Sequence, residues 1–222
     1  MPDDQQLSLK FSRRRKTPLP RGKKPPLTPK RNEIARLKVT LQHVRPGIWR
    51  RLEVSTALSF GSLHEILQIA FGWTDSHLHQ FYAGEMRIGT IDERIEPYIG
   101  DEISAENQTR LDQILPLFDH LLYEYDFGDS WMHRIVVEHM GSREEGISYP
   151  RCTGGKRAGP PEDCGGPGGY RELIRAISDP IHDEHPSMTE WLDGSFDPDA
   201  FSADETNRQL AGLALREGWK RS

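Results

Sequence analysis

Apolar and polar positions begin to alternate near Ile34. Ala35, Leu37, Val39 and Leu41 are separated by Arg36, Lys38 and Thr40, the period-two pattern of a strand with one buried face. Arg45-Pro46-Gly47 reads as a turn and Ile48 to Val54 alternates again, so the two runs predict a hairpin. The period then changes. Leu63, Ile66, Leu67, Ala70 and Phe71 fall at i, i+3, i+4, i+7 and i+8, one face of an amphipathic helix. Ser62 and Glu65 have capping-box spacing, Gly72 stops the helix, and Trp73 is expected to fold back onto the same core.

His77 to Ala83 and Met86 to Ile91 predict short strands around Gly84-Glu85. Residues 92–110 read as an acidic, irregular surface loop, and Leu111 to Leu115 as a brief helix ended by Pro116. The strongest tertiary signal is a hairpin over Tyr123 to Val137. Tyr123, Tyr125 and Phe127 share one strand face, and Trp131, His133, Ile135 and Val137 share the next. A three-residue loop, Gly128-Asp129-Ser130, sets Phe127 opposite Trp131, Tyr125 opposite His133 and Glu124 opposite Arg134. That register joins the aromatic faces and pairs opposite charges on the other side. A two-residue loop would pair Tyr125 with Met132 and lose both matches.

Residues 151–169 hold seven glycines, three prolines and both cysteines and predict a long loop. Tyr170, Leu173, Ile174 and Ile177 then mark a helix of about two turns. Ser187 with Glu190 predicts the cap of a short helix carrying Trp191, and Ser202 with Glu205 opens a last helix with Leu210, Leu213 and Ala214 as its apolar stripe. There is no internal repeat. The whole predicts one α+β domain over residues 32–222.

Composition adds a second object. The net charge of −5 conceals ten Lys and Arg against Asp3 and Asp4 in residues 1–31, a net +8, which leaves −13 for the rest. Six prolines fall in the first thirty residues. Such a segment buries too little apolar surface to offset its chain entropy and is expected to be a disordered tail. Its basic residues, among them Arg13, Arg14, Arg15, Lys16, Lys23 and Lys24, suit a phosphate-seeking arm for nucleic acid, and equally suit a solubilising terminus. No run of about 18 apolar residues predicts a membrane span, and the N-terminus lacks the apolar stretch of a secretory signal. A cytoplasmic protein without a membrane partner is expected.

Several constellations could carry chemistry. Asp126-Phe127-Gly128 invites comparison with a kinase, but the chain has no Gly-rich strand-loop and no catalytic-loop motif. Gly128 is read as permitting the turn and Asp129 as capping it. His133 lies on the aromatic face and is read as core before ligand. His77 and His79 alternate on one strand face, a geometry open to two ligands of one metal ion. Cys152 and Cys164 lie twelve residues apart beside Lys156 and Arg157. Nearby cations lower thiol pKa values and favour nucleophilic or metal-binding thiolates, while the plainer reading is two free thiols in a packed loop. A zinc site would need those thiols together with His77, His79 or His133. Gly165 to Gly169 before a helix could cradle an anion, but Pro167 removes a donor and Glu162 and Asp163 would repel phosphate.

Three linked motifs then carry a resemblance. They are Leu63-His64 through Phe71-Gly72-Trp73; Tyr125-Asp126-Phe127-Gly128-Asp129-Ser130-Trp131-Met132-His133; and Pro160-Pro161-Glu162-Asp163-Cys164-Gly165-Gly166 through Gly169-Tyr170. In this order they resemble the plasmid pRi open-reading-frame-three-like family, also called insertion-element passenger (TnpR-type) proteins, over about residues 33–210. The resemblance implies a compact α+β fold with a mixed or mainly antiparallel sheet flanked by helices, in genes that recur on plasmids and insertion elements. It implies no particular reaction. The passenger name records gene neighbourhood, and no serine-recombinase motif is present. Relatives often carry a cysteine where this chain has Gly159, which leaves a zinc site here short of a ligand.

The reading ranked first is a non-catalytic accessory or interaction domain, associated with nucleic acid through its tail or with a protein partner. The alternative is a metal- or thiol-dependent enzyme whose site lies where the Cys152–Cys164 loop meets the hairpin turn. Asp126, Asp129, His133, Glu162 and Asp163 form the candidate functional surface.

Overall fold

The computed structural model describes residues 33–90, 103–193 and 196–216. The proposed tail and its six named basic residues lie outside them. Eight strands form one sheet: β1 (Glu33–Leu41), β2 (Trp49–Ser55), β3 (His79–Ala83), β4 (Met86–Gly89), β5 (Ile103–Ala105), β6 (His120–Tyr125), β7 (Trp131–Ser142) and β8 (Arg151–Lys156). Their order is β5-β4-β3-β6-β7-β1-β2-β8, antiparallel except for the β4–β5 pair, so the sheet is mixed. Among the described residues five α-helices accompany it: α1 (Phe60–Phe71), α2 (Leu111–Ile114), α3 (Gly166–Ser178), α4 (His185–Trp191) and α5 (Ala203–Arg216). The α+β architecture expected from the sequence is the one observed.

The alternation does what it predicted for β1 and β2. Leu37 lies opposite Leu52 and Val137, and Val39 opposite Arg50 and Ile135. Continuing the register across the sheet adds Tyr123, Tyr125 and Phe81 to the same buried face. α1 lies on it, with Phe60 edge-on to Phe81 at 5.0 Å and Phe71 edge-on to His133 at 4.6 Å. α3 joins through Tyr170 against Trp131. The opposite face is polar and laced by ion pairs, Arg36 and Arg151 on Glu53 and Arg51 on Glu138. Both guanidiniums hold Glu53 below the usual carboxylate range against the opposing effect of its burial.

α1 ends as expected. Gly72 adopts φ 80°, and its N–H and that of Trp73 both reach the Gln68 carbonyl at 2.9 Å. Its start lies three residues earlier than Ser62 predicts, because Ser59 is the N-cap and accepts from the Ser62 N–H. Both serines have a cap's chemistry, and Phe60 supplies the buried contact that favours the earlier one.

Other expectations need correction. The 92–110 segment, read as a loop, contains β5, which pairs parallel to β4. Pro116 does not end the chain's helical path but lies within a 3-10 turn, Leu115–Leu117, that extends α2. Residues 151–156 form a strand where a loop was expected. Glycine-rich β8 is an edge strand, and Asn207 of α5 satisfies its outer side: Oδ1 accepts from the Cys152 N–H and Nδ2 donates to the Cys152 carbonyl. α3 is 13 residues long, more than two turns. α4 begins before Ser187, after Glu184, without a side-chain cap, whereas the Ser202 hydroxyl caps the Glu205 N–H as expected.

The hairpin is present with its register moved by two residues. Tyr125 faces Trp131, Tyr123 faces His133, and Glu124 faces Met132. A shift of two keeps every side chain on its face, so alternation alone cannot detect it. Asp126 to Ser130 form the connection, and Phe127 stands half exposed outside the ladder. Glu124 meets no arginine opposite it. Its carboxylate accepts from Tyr82 and Ser130 hydroxyls instead.

Candidate functional site

Two tyrosines of β6 carry the core outward to polar groups. Tyr125 is fully buried, yet its hydroxyl accepts from the Ser76 N–H at 3.0 Å and donates to Glu162 Oε1 at 3.0 Å. The hairpin connection starts one residue later. Asp126 adopts φ 58° and its Oδ1 accepts from the N–H groups of Gly128 and Asp129. Asp126 is therefore the residue that caps the turn, not Asp129, and Gly128 is not required by a positive φ. Asp129 reaches the other way, its Oδ2 accepting from the Gly165 N–H at the start of α3. A carboxylate of the chain itself thus meets this helix start, where an anion cradle was judged unfavourable.

These contacts gather four carboxylates from two distant segments. Asp126 and Asp129 come from the turn, and Glu162 and Asp163 from the loop between β8 and α3. His77 enters among three of them. Its Nε2 lies 3.1 Å from Asp163 Oδ1, 3.7 Å from Asp126 Oδ2 and 3.8 Å from Glu162 Oε2. One ligand atom from each of His77, Asp126 and Asp163 lies within 4.8 Å of the others. The Nε2 atom is buried but makes no hydrogen bond, because Asp163 lies out of line for one and Asp126 and Glu162 lie beyond hydrogen-bond distance. Glu162 is fixed from behind: its Oε1 accepts from the Thr74 N–H and hydroxyl as well as from Tyr125. A cavity of about 540 Å³ lies alongside, walled by His64, Asp75, His77, His79 and Glu106.

His79 does not join His77. It belongs to a second cluster in which its ring stacks on His64 at 3.5 Å, with only 5° between the planes. His79 Nε2 lies 2.6 Å from Glu106 Oε2, and Thr90 donates to the other Glu106 oxygen. His64, Asp75 and His79 also bring ligand atoms within 4.8 Å of one another, but His64 is already held by hydrogen bonds at both ring nitrogens. The Asp75 N–H donates to Gln68 Oε1, which orients the amide so that Gln68 Nε2 donates to the Tyr123 hydroxyl. Tyr123 must then give its own proton to His64 Nδ1, 2.8 Å away, and His64 Nε2–H donates to Asp75 Oδ1 at 2.7 Å. Both ring nitrogens of His64 are thus already in use.

The remaining candidates are placed apart. His133 is completely buried among Phe71, Trp73 and Tyr123, and its Nδ1 bonds the Trp131 carbonyl. It is a core residue, as the plainer reading held, and does not belong to the surface with Asp126. Cys152 is buried on β8, whereas Cys164 lies near Asp129, and both are free. Neither thiol is activated. Burial raises Cys152, and burial with Asp129 pushes Cys164 up to about 12. Among the described residues the cysteines enter no metal-capable group. At Gly159 a Cβ would stand 1.9 Å from the Phe71 carbonyl oxygen, so a cysteine there would require a different path of the loop.

The comparisons with known proteins agree with this arrangement of motifs. The profile described as plasmid pRiA4b ORF-3-like protein matches residues 33–205. The chain belongs to this family. An uncharacterised protein of Sinorhizobium fredii, y4hQ, is 38% identical over 194 residues, covering 85% of this chain and 95% of the relative. The crystal structure of a protein of unknown function from Methanosarcina mazei, MM3350, matches with a TM-score of 0.72 at 32% identity, covering 79% of this chain and 98% of that one. No helix among the described residues is long and apolar enough to cross a membrane.

Reasoning from the sequence missed His64, Asp75 and Glu106. His64 and Gln68 stand four apart beside the apolar stripe of α1, and that polar pair was the available signal. Nothing local marks Glu106.

The two buried histidines make stability depend on pH. Burial lowers His64 to about 4, aided by the neighbouring His79, and lowers His133 to about 3. Each folded value lies below the ordinary 6.5, so the unfolded chain takes up protons first as pH falls through about 6.5. Unfolding free energy measured by urea titration should drop by about 2 kcal/mol per histidine between pH 7 and pH 5. Replacing His64 by glutamine should remove about half of that slope. A flat profile over this range would contradict the assignment of both rings as neutral.

Proposed function

We propose that the domain is a metal-dependent protein whose centre is a divalent cation held by His77, Asp126 and Asp163. The carrying observation is His77 Nε2, buried, without a hydrogen bond, and 3.1–3.8 Å from three carboxylates. Ligand atoms at 2.0–2.1 Å from a common tetrahedral ion stand about 3.4 Å apart, so the observed spacing needs little adjustment. Without a cation, the cluster sets three carboxylates against one imidazole.

The surroundings support the same reading. One oxygen of Asp126 is held by two backbone N–H groups while the other faces His77. Glu162 is held through Tyr125 and Thr74. Such outer contacts orient ligands and tune their basicity. One imidazole with carboxylates suits zinc, manganese or iron(II) better than calcium, and the protonated thiols take no part. Three protein ligands leave positions for water and a further ligand, the count of a reactive site rather than a closed structural one. Leu78 and Phe127, the residues after His77 and Asp126, are large and exposed.

Titrating the full chain with Mn²⁺ and with Zn²⁺ by calorimetry should give one site per chain. His77→Ala and Asp126→Asn should each weaken it at least about tenfold to a hundredfold, while His64→Gln should leave it within a few-fold. Binding that survives His77→Ala but is lost with His64→Gln would move the centre to the other cluster.

The accessory reading rests on a separate feature, the +8 of residues 1–31 joined to a region of −13. On that reading the tail supplies sequence-independent affinity for nucleic acid that the acidic domain cannot. Retention of a labelled DNA duplex should be salt-sensitive and vanish when residues 1–31 are deleted. Undiminished retention after deletion would remove the tail's role.

A further inference from the structure

The domain contains a second polar cleft with the opposite chemistry. It has a volume of about 830 Å³ and lies between the β1–β2 turn, the residue after β8, and α3. Four arginines line it: Arg45 from the turn, Arg157, and Arg171 and Arg175 from α3. Among the described residues no carboxylate does. In a region whose net charge is −13, a wall with four guanidiniums and no acid is a local reversal of sign.

Charge alone would leave this an ordinary basic surface. Two buried donors make it more. Arg157 is nine-tenths buried and Tyr170 more so. The Arg157 Nε–H makes no hydrogen bond, and the Tyr170 hydroxyl, whose oxygen has the guanidinium beside it as a donor, has no acceptor for its own proton. Burial raises Tyr170, so its hydroxyl keeps its proton and stays a donor. Buried polar groups are rarely left without partners, and two that line one cleft call for an acceptor inside it. Arg157 Nη1 already bonds exposed Asp199, which fixes the guanidinium while Nε remains open. Arg171 and Arg175 share only the half-exposed Glu172, pairings weak enough to be exchanged for a better anion.

We propose that this cleft binds a phosphoryl group of a small molecule, with the Arg157 Nε–H and the Tyr170 hydroxyl as inner donors and Arg45, Arg171 and Arg175 as the charged rim. Guanidinium forks match phosphoryl oxygens in both charge and geometry. The volume lies in the range of small-ligand sites. A small ligand is favoured over a polyanion because the acidic remainder of the domain would repel an extended phosphate backbone. The site is separate from the proposed metal centre and stands or falls without it.

The test uses the full chain with pyrophosphate as probe, followed by calorimetry, with inorganic phosphate and a short single-stranded oligonucleotide in parallel. Pyrophosphate should bind once per chain and inorganic phosphate more weakly. Tyr170→Phe, which removes the hydroxyl proton that has no internal acceptor, should weaken pyrophosphate by about tenfold. Arg175→Gln, on the exposed side of α3, should weaken it as well and serves if Tyr170→Phe disturbs folding. Metal-ligand replacement at His77 should leave pyrophosphate binding unchanged. Absence of binding at millimolar pyrophosphate would overturn the proposal. So would binding indifferent to both variants, or binding of the oligonucleotide alone.

Discussion

The pairing of β6 with β7 is the contact on which the rest of the site depends. Tyr123 opposite His133 and Tyr125 opposite Trp131 place four large rings on one face of the sheet, beneath α1. Burial of that ring layer contributes heavily to the core, and it also has a positional consequence. Both tyrosine hydroxyls emerge at the far side of the layer, Tyr123 into the His64 network and Tyr125 onto Glu162. Because the ladder ends at Tyr125 and resumes at Trp131, Asp126 falls at the first residue of the connection and turns its carboxylate toward His77. One register thus fixes a core, a hydrogen-bond ring and a cluster of ligand groups.

The two histidine clusters show how similar residue types diverge. His64 is committed: both its ring nitrogens, the Tyr123 hydroxyl and the Gln68 amide have defined roles as donor or acceptor. Such a closed network specifies structure. His77 is uncommitted, with a buried nitrogen and carboxylates that cannot satisfy it in their present directions. The distinction rests on hydrogen-bond direction rather than on proximity, since both clusters bring three ligand atoms within the same distance.

Strongly periodic parts of the fold were legible in the sequence: the first hairpin, α1 with its Gly72 stop, and the faces of the aromatic hairpin. β5 and β8 were not. β5 is three residues long without an apolar stripe, and β8 contains Gly154 and Gly155 and owes its place to Asn207, 55 residues away. The hairpin register escaped because a two-residue slip preserves facing. Of the candidate surface, Asp126, Asp129, Glu162 and Asp163 do meet, since the turn and the loop after β8 were each recognisable as irregular segments. His77 was recognised as a ligand type but joined to the wrong partners, for strand alternation gave it to His79 whereas β3 begins only at His79 itself. Both cysteines are free thiols, the plainer of the two readings: neighbouring cations in sequence suggested activation, but burial raises both thiols and carboxylates near Cys164 add to it.

A transition-metal cation at the hairpin turn would scatter X-rays anomalously. Crystals grown with Mn²⁺ and measured on both sides of its absorption edge would locate it directly. The proposed centre requires one anomalous peak about 2.1 Å from His77 Nε2 and from the carboxylates of Asp126 and Asp163. A peak between His64 and His79, or none at the hairpin turn under saturating metal, would contradict it.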